Sequence, residues 1–93
     1  MQLAELADVQ VGLTPADFWL PRTGANVGRP TRTYSRTAIG VKIRRTDILL
    51  PDYAYYLFEY LWMNGLWRCA MQGTGMTTLP IEAVRQLQFA SPN

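Results

Sequence analysis

The stretch "TAIGVKIRR", residues 37–45, constrains the fold more than any other part of the chain. Ile39, Val41 and Ile43 alternate with Gly40, Lys42 and Arg44, so a strand here buries one set and displays the other. The period then changes. Asp47 to Pro51 turns a corner, and Pro51 with Asp52 suits a helix start, because proline lacks only a donor that is unpaired in a first turn anyway. Tyr53, Tyr56, Leu57, Tyr60 and Leu61 follow at helical spacing, a wide aromatic stripe expected to face a core rather than to serve as a platform for stacked bases. A chain of 93 residues closes a single modest core, so residues 1–93 are expected to form one domain.

The remaining segments fit around that strand and helix. "LAELADVQVGLTP" predicts a helical turn at Leu3 to Leu6, a short strand near Val9 and Val11, and a break at Gly12 and Pro15. "DFWLPRTGANVGRPTRTYS" reads as a long loop, pinned by Phe18 and Trp19, that leads into a strand near Thr31 to Ser35. Asn64 and Gly65 interrupt the helix, Leu66 to Met71 resumes it, and Gly73 ends it. Pro80 to Gln86 predicts a further short helix, with Leu87 and Phe89 opening a terminal strand. The order implies an α+β (mixed α/β) fold, a small twisted sheet packed against two linked helices and a short third helix.

Hydrophobic residues make up 48% of the chain, enough to fold without metal or disulfide. Cys69 has no second cysteine to pair with and reads as a small buried residue of a protein from a reducing cytoplasm. There is no histidine, so neither a cysteine–histidine nucleophile nor a conventional zinc site can be assembled. Asp47 and Asp52 lie near each other, but Asp52 is accounted for by the helix start and no third group joins them. An enzyme, a cofactor and a metal are therefore not expected. "MQLAELADVQ" lacks the apolar core of a signal peptide, and no apolar run reaches membrane-spanning length.

Charge is segregated along the chain. Arg22, Arg29, Arg32, Arg36, Lys42, Arg44 and Arg45 are seven of the nine basic residues, and no acid lies among them. All seven acids fall outside that stretch, a pattern expected of a surface that meets an anion. The arginines at 22, 29, 32 and 36 are on loop-like sequence and suit reaching into a groove, whereas Lys42 and Arg44 share a strand face and suit positioning on phosphates. A solvated strand face is the plainer alternative. The loop "GTGMTT" adds a second candidate: Gly73 and Gly75 allow close backbone approach, and Thr74, Thr77 and Thr78 offer donors and acceptors. Here the alternative is a helix cap whose hydroxyls satisfy the turn. Gly24 and Gly28 enclose "ANV" but lack the strand and helix of a phosphate-binding loop.

"PRTGANVGRPTRTYSRTAIGVKIRRTDILLPDYAYYLFEYL" resembles the second half of a target-recognition domain from the specificity subunits of type I restriction-modification enzymes. In that family a threonine–glycine turn precedes paired strands, and a sequence matched by "PDYAYYL" opens the first helix. "GLWRCAMQGTGMTTLPIEAVRQLQFASP" resembles the family's second helix, glycine–threonine loop, short helix and closing strand, and "LAELADVQVGLTP" its usual beginning. The interval from Pro15 to Arg22 is shorter than the family's, so a trimmed version is expected, and a complete specificity subunit, with its spacer helix beyond Asn93, is not expected.

The resemblance implies a non-catalytic reader of double-stranded DNA, working beside a methyltransferase subunit in phage defence. The sites it would use are the basic residues from Arg22 to Arg45 and the loop residues Gly73, Thr74, Thr77 and Thr78. A different class stays open: a small phage or mobile-element protein of anti-restriction or anti-CRISPR type, which binds and inhibits a host defence complex by protein–protein contact. Trp62, Met63 and Trp67 around the helix break would support a homodimer if exposed.

Overall fold

The computed structural model describes residues 1–74 and 78–88. A single helical turn, α1 (Leu3–Leu6), runs directly into β1 (Ala7–Val11). The Glu5 carboxylate accepts from the Gln2 backbone N–H, satisfying a donor that the first turn leaves open. β2 (Phe18–Leu20) and β3 (Ile39–Ile43) complete a three-stranded antiparallel sheet of order β1-β3-β2. The chain continues through α2 (Pro51–Met63), α3 (Leu66–Thr74) and the short α4 (Ile81–Arg85). This is the α+β architecture that the element order implies.

The central position of β3 explains its composition. Val41 pairs with Val9 on one side and Phe18 on the other, and Ile39 pairs with Val11 and Leu20. Ile39, Val41 and Ile43 point to the face that also carries Val9, Phe18 and Leu20, and there they meet the buried Leu6, Ala54, Phe58, Trp67, Leu79 and Val84. Phe18 packs on Phe58 with ring centroids 5.2 Å apart, and Phe58 lies 6.3 Å from Trp67, so α2 and α3 both close over this face. The opposite face is covered in part by Trp19, whose indole N–H donates to the Leu13 carbonyl at 2.9 Å. Gly40 lies beneath it: a Cβ there would stand 2.7 Å from Leu13 Cβ, so only glycine permits this approach.

Several expectations need correcting. Residues 31–35 do not form a strand; Thr31 alone exchanges backbone hydrogen bonds with Trp19, at 2.8 and 2.9 Å. Beyond it, hydroxyls claim the local donors, with Thr33 N–H on Thr31 Oγ1 and Thr37 N–H on Ser35 Oγ. Phe18 and Trp19 belong to β2 rather than to a loop. At the other end Gln88 makes an isolated bridge to Gln2, and Phe89 lies outside the described residues. The α3 helix includes Gly73 and ends at Thr74, so Gly73 does not terminate it.

The tyrosine stripe faces outward. Tyr53, Tyr56 and Tyr60 are 61, 64 and 63% exposed, while Ala54 and Phe58 are the buried positions of α2. α2 is apolar or aromatic around most of its circumference, and burial went to the side whose ring has no polar group, since a tyrosine keeps its hydroxyl in water at lower cost. Cys69 is exposed as well, because Trp67 occupies the inward position of α3 and a residue two further on points away. Trp67 is likewise buried rather than exposed, whereas Met63 is 68% exposed. Among the described residues no helix is long and apolar enough to cross a membrane.

Candidate nucleic-acid interface

The stretch from Arg22 to Arg45 has no acids in sequence but acquires them in space. Arg29 meets Glu59 at 4.0 Å, Arg32 meets Asp52 at 3.2 Å, Lys42 meets Asp17 at 3.4 Å, Arg44 meets Asp8 at 2.9 Å, and Arg45 meets Asp47 at 2.9 Å. Arg29 and Arg32 lie against α2, their guanidinium groups over Trp62 at 5.0 Å and Tyr55 at 4.3 Å. Lys42 is on the sheet face opposite the one that packs on α2, and its cross-strand neighbour on β1 is Asp8. The seven cations thus do not share one surface. Arg44 also donates to the Ala4 carbonyl at 2.8 Å, which fixes it as a strut between β3 and α1.

The basic side chains are between 45 and 52% exposed, and apart from the largely buried Asp17 their partners are open to water too, so these four surface pairs are worth about 1 kcal/mol or less each. The Arg45–Asp47 pair is the most regular. Two parallel hydrogen bonds of 3.1 and 2.9 Å join them, and this bonding pulls the Asp47 carboxyl below its usual range while raising Arg45.

Arg22 and Arg36 differ from the rest in having no carboxylate partner among the described residues. Arg22 lines a cavity of about 540 Å³ together with Pro21, Thr23, Thr31, Ser35, Thr37, Ala38 and Thr78. Its Nε is buried and finds no acceptor among the described residues, a state that costs roughly 1–3 kcal/mol. Five hydroxyl-bearing residues and one arginine line this cavity, and none of its lining residues is acidic. Arg36 falls between two of the lining residues, Ser35 and Thr37, and is exposed. A neighbouring cavity of about 380 Å³ shares Pro21 and Thr31 and brings Asn26, Arg29 and Tyr55 alongside.

The backbone that carries Arg22 is held from three directions. Gly28 N–H donates to the Pro21 carbonyl at 2.9 Å, and Leu79 N–H donates to the Arg22 carbonyl at 2.8 Å. Gly28 itself has φ +80°, and a Cβ there would stand 2.1 Å from Trp67 Cδ1, so the loop is seated on a buried indole. Of the second candidate group, Thr78 joins Arg22 in the cavity. Gly73 and Thr74 are in α3, and Thr77 lies outside the described residues. Thr23, Thr31, Ser35 and Thr37 were not foreseen as site residues, although the density of hydroxyls in "TRTYSRT" was a usable signal.

A guanidinium beside several hydroxyls, without a carboxylate, matches an oxyanion: the guanidinium supplies charge and paired donors, and hydroxyls rotate to donate to remaining oxygens. Comparison with protein-family models, with curated proteins and with solved structures returned no match.

Proposed function

We propose that this chain is a non-catalytic DNA-docking module, in keeping with its resemblance to a type I target-recognition domain, and that it seats a backbone phosphate in the Arg22 cavity. The observation that carries this reading is Arg22, without a carboxylate partner among the described residues, lining one acid-free cavity together with five hydroxyl-bearing residues. A phosphodiester seated there accepts from the Arg22 guanidinium and from the hydroxyls of Thr31, Ser35, Thr37 and Thr78. The paired cations take a supporting role, since a surface ion pair worth little is readily exchanged for a phosphate contact. A cytoplasmic setting, beside a methyltransferase subunit bound to the same duplex, completes this reading.

Two or three phosphates within reach give a modest affinity that falls roughly ten- to forty-fold between about 50 and about 200 mM salt. Fluorescence anisotropy with a labelled duplex at those two salt concentrations tests it, and an affinity unmoved by salt contradicts it.

A second reading is favoured by one observation, the exposed tyrosines of α2. In it the chain is an inhibitor that binds a host defence complex through an aromatic surface. Purification from a nuclease-treated host lysate separates the two: a stoichiometric defence subunit that survives nuclease supports inhibition, and loss of all partners supports DNA docking.

A further inference from the structure

The outward face of α2 carries Tyr53, Tyr56, Tyr60 and Met63, exposed by 61, 64, 63 and 68%, with Leu50 at 64% just ahead of the first turn. At 100° per residue the four helical positions fall within an arc of about 80°, a single narrow seam. Their spacing of three, four and three is that of alternating a and d positions in a coiled coil. It is also symmetrical: Tyr53 and Met63, and Tyr56 and Tyr60, are equidistant from Phe58. A helix with such spacing is complementary to its own reverse. Turned end for end about a twofold axis level with Phe58, it sets Tyr53 against Met63 of the copy and Tyr56 against Tyr60 of the copy.

Charge supports a second copy over a polyanion. α2 contributes Asp52 and Glu59 beside the seam and no basic residue, so alone it would repel both its copy and DNA. Arg32 and Arg29 neutralise these two carboxylates from within the same chain. The like-charge obstacle to pairing is thereby reduced, and Arg29 and Arg32, the cations against α2, are already engaged by carboxylates. The area is also informative. The four seam side chains, each more than three-fifths exposed and so open by roughly 120 Å², supply at most about 500 Å² per copy, or about 1,000 Å² in a dimer, at the lower bound of specific interfaces.

We infer that α2 is the seam of a weak, twofold-symmetric homodimer in which the two α2 helices pack antiparallel through Tyr53, Tyr56, Tyr60 and Met63. The inference is independent of the Arg22 cavity. Dimerisation would place two such cavities on one particle and so raise apparent affinity for a long duplex without any new contact.

Sedimentation equilibrium of the intact chain from about ten micromolar to about one millimolar tests it. The expected mass rises from the 10.6 kDa of one chain toward twice that value, and the double variant Tyr56→Glu/Tyr60→Glu stays at the lower mass with an unchanged circular dichroism spectrum. Mass independent of concentration, or a double variant that still dimerises, overturns the inference.

Should the double variant fail to fold, cysteine pairing reads the geometry instead. In a Cys69→Ser background, Tyr56→Cys mixed with Tyr60→Cys is expected to give mainly the mixed disulfide. Predominant pairing of Tyr56→Cys with itself, or no cross-link at millimolar concentration, overturns it. Loss of duplex binding by Tyr56→Glu/Tyr60→Glu, with wild type monomeric throughout, assigns the face to nucleic acid and likewise overturns it.

Discussion

Leu79 and Arg22 are joined by a backbone hydrogen bond of 2.8 Å, from the N–H of the former to the carbonyl of the latter. This contact ties the segment before α4 to the loop after β2 and brings Thr78 to the wall of the cavity that Arg22 lines. Two stretches far apart in the chain thus supply one site. The consequences can be measured singly.

The paired arginines are expected to matter less for DNA than their sequence position suggests. Arg32 is held by Asp52 at 3.2 Å and Arg29 by Glu59 at 4.0 Å, so a phosphate must displace a carboxylate before it gains either. Arg29→Ala/Arg32→Ala should weaken duplex binding by no more than about threefold, whereas Arg22→Ala should weaken it by about tenfold, a loss on the order of 1.4 kcal/mol. Anisotropy titrations of the two variants at one salt concentration decide the order.

Gly28 is the structural keystone of the loop that presents Arg22. Alanine there combines a positive φ of +80° with a Cβ 2.1 Å from Trp67 Cδ1. The expected cost is ~3 kcal/mol or more, seen as a melting temperature lower by roughly 15 °C. Gly24→Ala is the control: its φ is +92°, but nothing lies within 4 Å, so only the backbone penalty of ~1 kcal/mol applies. Thermal melts of the two variants should differ by roughly 10 °C.

Much of the fold could be read from residue order, and the reasons are local. Ile39, Val41 and Ile43 alternate because β3 is buried on one face, and Pro51 opens α2 because its missing donor has no consequence there. The break at Asn64 and Gly65 likewise declares itself. What was not legible depends on contacts between distant segments. Apart from Asp47, two residues beyond Arg45, the partners of the basic stretch come from β1, from the lead-in to β2 and from α2, and no local pattern announces that Asp8 will meet Arg44 or Asp52 will meet Arg32. The outward turn of Tyr53, Tyr56 and Tyr60 escaped for another reason: tyrosine is at home on either side of a surface, and helical spacing marks a stripe without saying which way it faces.

Asp17 is expected to be the most sensitive carboxylate for stability. Its side chain is only 14% exposed, accepts from the Ile43 backbone N–H at 2.7 Å, and lies 3.4 Å from Lys42 Nζ. Asp17→Ala leaves that strand donor without its acceptor, at a cost of ~2 kcal/mol. A fall in melting temperature of roughly 10 °C is the expected reading.

Asp47 should leave a trace in the acid limb of the stability curve. Its carboxyl is held below the ordinary value of 3.8, first by the hydrogen bonds from Arg45. A depressed folded-state pKa stabilises at pH above the unfolded value and ceases to do so as pH falls through the folded one. Asp47→Asn should therefore be slightly less stable than the parent near neutrality, and the difference should fade as pH drops below 3.8. Urea titrations at pH 7 and in acid compare the two chains.

The most direct test is the salt dependence of duplex binding by Arg22→Ala beside wild type, with log affinity plotted against log salt. If the Arg22 cavity seats a phosphate, the variant binds more weakly and its slope is shallower by about 0.9, the signature of one lost phosphate contact, while its melting temperature is unchanged or higher. A parallel line at equal affinity contradicts the account.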